Sequence, residues 1–288
     1  MKSRRPRDAG SHRKPRPKFE HGSRTPQAAR PPAKAAQPPL KAGPVFRRSS
    51  SDLVLIYGFH AVSEALRAKR RELLDLFATP AAAARLDACA AAAGVRVHVA
   101  AAEDLSRRLG AEAVHQGVLL EARPLPARGL DDIVSNSGIV LALDQITDPH
   151  NVGAILRSAA AFAVDAVVTT ERHAPQPGGV LAKAASGGLE HVPLIEVVNL
   201  ARALGELKDL GYLRIGLDSE GPLSLSDAPL TRPLVLVLGG EGKGLRRLTR
   251  ENCDFLARLD MKGAIKSLNV SNACAVALSI ASEKLDRP

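Results

Sequence analysis

The sequence predicts an α/β protein made of a basic tail, a small α/β unit and a larger unit built on a parallel sheet. Three observations predict it. Apolar runs of strand length alternate with helical patterns from about residue 57 to residue 284. The run IVLALDQ at 139–145 is apolar without alternation, as suits a parallel strand buried on both faces. The charge is divided along the chain. Residues 1–50 hold 14 Lys/Arg against 2 Asp/Glu, a net of +12, while the other 238 residues carry 26 against 28, a net of −2.

Residues 1–50 also carry 9 of the 20 prolines and little that builds a core, and so read as disordered. A solvated cationic arm attracts polyanions and adds salt-sensitive, sequence-independent affinity for nucleic acid. A solubilising or targeting extension is the plainer reading of the same pattern. The segment lacks the apolar centre of a signal peptide. It is Arg-rich and poor in acid, like a transit peptide, but Pro and Lys interrupt any amphipathic helix. No run approaches the roughly 18 apolar residues of a membrane span. Cys89, Cys253 and Cys274 are odd in number and far apart, with no CxxC pair. They argue against a disulfide framework and a zinc site and are expected to be small buried thiols in a reducing cytoplasm. Trp is absent and aromatics make up 3%, so the core must come from Ala, Val, Leu and Ile.

In YGFHAVSEALRAKR (57–70), Val62, Ala65 and Leu66 fall at helical spacing. LLDLFAT (73–79) reads as a strand, and 80–94 as a helix with Pro80 at its start and Gly94 at its end. VRVHVA (95–100) alternates as a strand, a short helix starts near Glu103, and GVLLEA (117–122) closes the unit. Two prolines and a glycine in 122–132 mark the boundary. The resulting domains are a tail (1–50), a small unit (53–123), a connector (124–137) and a larger unit (138–288). Beyond 139–145, the larger unit has expected strands at 164–169, 194–198, 212–217, 234–238 and 255–259. Its expected helices are 151–163, 178–187, 199–210, 245–252 and 269–284. Such alternation implies a mostly parallel sheet with helices on both faces, whose ligands bind beyond the carboxyl ends of strands. No internal repeat is present.

Three segments place polar or glycine-rich turns at those ends. In DPHNVGAILRSA (148–159), Asn151 stands where a helix should start, which makes an N-cap its plain role. Arg157 lies inside an otherwise apolar helix. Either a surface position, an internal acid or a bound phosphate accounts for it. In LVLGGEGKGL (236–245), four glycines in six residues let backbone approach a ligand, with Glu241 among them. The segment meets neither the Walker nor the GxGxxG pattern. In IKSLNVSNACAVAL (265–278), Ser267, Asn269, Ser271 and Asn272 crowd the start of a long Ala-rich helix. Capping explains any one of them but not four. Ala273, Val276, Ala277 and Ile280 form a small-residue stripe suited to the core or to a helix–helix interface, a dimer above all.

The order NxxxxxR, GGEGKGL, SLNVSNA resembles the SpoU branch of the SPOUT RNA 2′-O-ribose methyltransferases. HQGV at 115–118 and LEHVP at 189–193 fit the same pattern, and YGFHAV is similar to the opening of bacterial 23S rRNA (guanosine-2′-O)-methyltransferases. The resemblance spans about 55–285. It implies a C-terminal domain with a deep trefoil knot and a preceding RNA-binding domain. It also implies S-adenosylmethionine as cofactor, held by Gly239, Leu259 and Leu268, and no metal. Asn151, Arg157, Glu241, Ser267 and Asn269 would line the reaction site of a cytoplasmic homodimer acting on 23S rRNA. Two positions depart from the family pattern: Asp260 stands where a proline is usual, and Ser279 where an aromatic is common. The competing expectations are a tRNA substrate, a non-catalytic ribosome-assembly protein that binds RNA, and a nicotinamide-dependent enzyme. The last lacks both the GxGxxG turn and the acid about 20 residues beyond it.

Overall fold

The computed structural model describes residues 44–133, 138–176 and 178–286. The expected tail therefore lies outside the described residues except for its last seven. The small unit contains β1 (Val54–Tyr57), α1 (Phe59–Ala68), β2 (Leu73–Ala78), α2 (Pro80–Ala93), β3 (Arg96–Val99), α3 (Ala102–Leu109) and β4 (Val118–Ala122). Its sheet order is β1-β4-β2-β3. β4 runs antiparallel to β1 and β2, and β2 runs parallel to β3. Val62, Leu66 and Leu86, from α1 and α2, pack into the main core, and Phe77, Leu105 and Leu119 form a second cluster. Residues 44–50 belong to this unit. The Phe46 ring lies 4.6 Å from Phe77, which stacks on His98 at 4.9 Å. The Arg47 amide donates to the fully buried Glu121 at 3.1 Å, and its guanidinium meets Asp75 at 2.7 Å. Packed chain thus begins before the boundary expected at residue 50.

The larger unit contains β5 (Ile139–Asp144), α4 (Pro149–Ala161), β6 (Ala166–Thr170), α5 (Gly179–Ala185), α6 (Gly188–His191), β7 (Leu194–Val197) and α7 (Leu200–Asp209). It continues with β8 (Leu213–Leu217), β9 (Leu223–Ser224), β10 (Leu234–Gly239), α8 (Arg247–Glu251), β11 (Phe255–Arg258) and α9 (Val270–Leu285). All seven strands are parallel, in the order β7-β6-β5-β10-β8-β11-β9. The apolar runs of β5 and β10 alternate between two buried faces. Leu141, Leu143, Leu236 and Leu238 join the core under α4, α5 and α9, while Val140, Ala142, Val235 and Val237 join the one under α7.

Each expected element has a counterpart. The expected helix at 178–187 ends early, because Ser186 and Gly187 take left-handed backbone and split off α6. β1 has no counterpart in the sequence reading. Its short run abuts a helix through Gly58 and gives no periodic signal of its own. The two-residue β9 carries even less.

Among the described residues no helix is long and apolar enough to cross a membrane. Burial pushes the Cys253 and Cys274 thiols up to about 12. Alkylation at pH 8 requires thiolate, so both should react about a thousandfold more slowly in the native protein than in urea. Comparable rates in the two states, read by mass spectrometry, would contradict their burial.

Candidate functional site

The site forms where two neighbouring strands end. β5 and β10 are paired in register from Ile139–Leu234 to Asp144–Gly239, so the chain leaves both strands side by side. The Gly240 amide then donates to the Asp144 carbonyl at 2.8 Å. Asp144 is fully buried, and its carboxylate takes the Arg246 amide at 2.9 Å and Arg246 Nε at 2.6 Å. The glycine segment is thereby fastened to the end of β5 at both of its ends. Between them the Gly244 amide donates back to the Gly240 carbonyl at 3.0 Å. The loop closes so tightly that a Cβ on Gly239 would lie 2.5 Å from the Leu245 nitrogen.

α4 is capped by Asp148, which accepts from the His150 amide at 3.0 Å, with Pro149 in the first turn. The cap is therefore not Asn151, as its position in the sequence invites. That leaves the Asn151 side chain free to reach across the site. α9 is capped by Asn269, whose Oδ1 accepts from the Ser271 amide at 2.9 Å and hydroxyl at 2.6 Å. With Oδ1 so engaged, Asn269 Nδ2 faces inward. It donates to Glu241 Oε1 at 2.7 Å and Asn151 Oδ1 at 2.9 Å, and Asn151 Nδ2 donates to the same Glu241 oxygen at 3.2 Å. Two amides and one carboxylate from three separate loops thus lock together. Glu241 Oε2 takes no hydrogen bond among the described residues.

The expected site residues divide. Asn151, Glu241 and Asn269 meet. Ser267 lies two residues before Asn269, exposed and without a hydrogen bond among the described residues. Arg157 is exposed, and its side chain makes no ion pair or hydrogen bond among them. Helix geometry places it about 9 Å further along α4 than Asn151 and roughly 240° around the axis. Within one chain it stands apart from the triad. Gly239 closes β10, Leu259 is half-buried against the core, and Leu268 is 43% exposed.

Asp260 has a role of its own. Its carboxyl is held below the usual range by a hydrogen bond from Ser224 and by the Arg258 guanidinium, against some burial. Arg258 Nη1 also donates to the Gly221 and Pro222 carbonyls, at 3.0 and 2.8 Å. Side chains therefore shape this turn in place of the usual proline. Sequence reasoning missed Asp144, although an acid closing an apolar strand is the signal that finds it. It missed Arg246 because nothing local distinguishes one arginine of GLRRLTR from the next.

The chain matches two family descriptions: SpoU rRNA Methylase family over residues 138–279, and RNA 2′-O ribose methyltransferase substrate binding over residues 55–127. It is 41% identical over 234 residues to the 23S rRNA (guanosine-2′-O-)-methyltransferase RlmB of Pseudomonas aeruginosa, covering 77% of this chain and 93% of that protein. It is also 41% identical to the protein of that name from Ralstonia nicotianae, covering 78% and 93%. Among solved structures it resembles the SpoU methyltransferase AviRb of Streptomyces viridochromogenes in complex with AdoMet, at 25% identity and a TM-score of 0.68, covering 81% and 91%.

Because backbone occupies the space a Cβ would need, Gly239→Ala should open the loop between Gly239 and Leu245. It should cost about 1–3 kcal/mol of stability, the range for overpacked sites. Thermal melting checks this, and an unchanged melting temperature would show that the loop gives way freely.

Proposed function

The chain belongs to the SpoU rRNA methylase family, and on that premise we propose that it transfers a methyl group from S-adenosylmethionine to the 2′-hydroxyl of a guanosine in 23S rRNA. The single observation that carries this is the Asn151–Glu241–Asn269 cluster at the strand ends, in a chain aligned with 93% of a curated relative's length. The residues present fit the cofactor. An added Cβ at Gly242 or Gly244 would meet nothing within 4 Å, so backbone there is open to a ligand. Leu268, next in sequence to the Asn269 that meets Glu241, is exposed and offers apolar surface for a base. Gly239, Leu259 and Leu268 would hold the cofactor, largely through backbone groups.

When bound, the cofactor supplies an electrophilic methyl group on sulfonium. The rest falls to the chain. A ribose hydroxyl is a poor nucleophile near neutral pH and must lose its proton as it attacks, here to water, which reaches the exposed Glu241, Ser267 and Asn269. In-line placement of the two reactants is worth roughly 7–11 kcal/mol. Asn151, Ser267 and Asn269 fix the ribose. Glu241, with Oε1 held by two amides, offers Oε2 to the nucleoside or to Arg157. An ordinary arginine does not surrender its proton in a protein. Arg157 therefore clamps phosphate and stabilises the developing alkoxide rather than acting as base.

The active form in this reading is a cytoplasmic homodimer packed through trefoil-knotted domains, with no metal. Support comes from α4 and α9, which pack together. Arg157 is exposed on the first, Val276 is 42% exposed on the second, and Ile265 is 77% exposed nearby in the sequence. A second copy packed on these two helices would cover Val276 and bring Arg157 to a triad.

Comparison of 2′-O-methylation across 23S rRNA with and without the gene should show loss at one guanosine, and an unchanged map would overturn the assignment. Arg157→Ala should lower transfer about 10²–10³-fold, as loss of a charge-stabilising donor does, with cofactor affinity retained. Arg157→Lys should keep a poor remnant, since a point charge lacks the fork. Deleting residues 1–43, which removes 12 Lys/Arg and spares the packed Phe46, should weaken RNA binding and flatten its salt dependence without abolishing turnover. An unchanged salt slope would remove the arm from RNA binding.

A further inference from the structure

The turn α6 touches the small unit on one side and the backbone of the candidate catalytic arginine on the other. A Cβ on Gly188 would lie 2.6 Å from the Leu156 carbonyl oxygen and 3.0 Å from the Arg157 nitrogen, so α6 rests directly on α4 there. Gly187, with φ of +97°, brings the same turn against Glu64 of α1, where a Cβ would fall 2.5 Å from that side chain. Three residues on, Glu190 accepts both prongs of Arg71, at 2.6 and 3.2 Å. The paired side chains are 4% and 3% exposed. His191 Nε2 lies 3.2 Å from Glu64.

A buried ion pair is a poor source of net stability but a good means of specifying one arrangement, and a two-pronged contact fixes orientation as well as distance. The connector adds no regular backbone pairing to that orientation. Residues 123–129 form neither helix nor strand. We propose that Arg71 and Glu190 are positioning residues for methyl transfer. They seat the small unit on α6, so that RNA held by the small unit reaches Arg157 in a fixed register and the backbone of Arg157 is braced from behind. This rests on the functional reading above and extends it to residues outside the strand-end site.

Glu190→Gln keeps the shape, removes the charge and strands Arg71. It should lower kcat about tenfold, the scale of a sub-ångström misplacement, with KM for rRNA and cofactor affinity changed less than about twofold. Amide exchange over residues 155–160, measured without RNA or methyl donor, should quicken. The swap Arg71→Glu with Glu190→Arg should recover part of both losses. Arg71→Lys, which keeps charge and bulk, should fall between wild type and Glu190→Gln, and it serves as the test should Glu190→Gln not fold. Wild-type kcat and exchange in these single variants would overturn the proposal. So would a folded swap no better than Glu190→Gln. The exchange readout does not depend on activity, so a wild-type protein that transfers no methyl group to rRNA would sink the functional reading and leave the seat standing.

Discussion

The parallel pairing of β5 with β10 is the contact on which the site depends. These strands are distant in sequence, yet their register ends Asp144 beside Gly239. Two of the three cluster residues, Asn151 and Glu241, lie just beyond that shared edge. The Asp144 carbonyl takes the Gly240 amide, its carboxylate takes Arg246, and α4 begins five residues past Asp144. A one-residue slip would exchange the two buried faces of β10 and set Glu241 out of reach of Asn151. Burial on both faces makes such a slip costly, since Leu236 and Leu238 would trade places with Val235 and Val237. The apolar core thus sets the positions of the site's hydrogen bonds.

Asn269 arrives by a longer route. β11 is separated from β10 by β8, so residues 259–269 must return across two strand spacings, roughly 10 Å, to bring the cap of α9 to Glu241. The cap and the contact use opposite ends of one amide. Oδ1 satisfies the first turn of α9, which leaves Nδ2 for Glu241 and Asn151. An ordinary helix cap therefore doubles as an orienting group. At the other end of the return segment, Asp260 and Arg258 bind it to 221–224, replacing the stiffness of a proline with hydrogen bonds.

Much of this was legible in the sequence because it rests on period and punctuation. The unbroken apolar runs gave the central strands, and Gly94 and Pro80 marked a helix at both ends. Asn269 stood out because polar groups at the start of α9 are more numerous than capping needs, Glu241 because it stands among four glycines, and Asn151 because it completes the family's order of motifs. What was not legible depends on tertiary contact. Which of Asp148 and Asn151 caps α4 is decided by where each side chain finds a partner, and both spacings allow a cap. That Phe46 and Arg47 pack cannot be read from a basic, proline-rich stretch, because their partners Phe77 and Glu121 lie over 30 and over 70 residues away. The role of Asp144 appears only once β5 and β10 are side by side.

Charge is allotted in the same divided way. Outside residues 1–50 the chain carries a net of −2, so its net charge does not draw in a polyanion. Residues 1–50 carry the +12 on which the proposed long-range attraction to phosphate would draw. Of the cations around the site, Arg246 is braced by Asp144 and Lys266 donates to the Met261 carbonyl at 2.9 Å, while Lys243, two residues past Glu241, is exposed with no ion pair among the described residues. Arg157, further along α4, is likewise exposed with no acid partner among the described residues, so no ion pair would have to break before it met a phosphate. In the proposed function, affinity for RNA in general and placement of one ribose would be separable. The first would draw on the net positive charge of residues 1–50, which salt screens, and the second on a carboxylate and two amides that salt hardly touches.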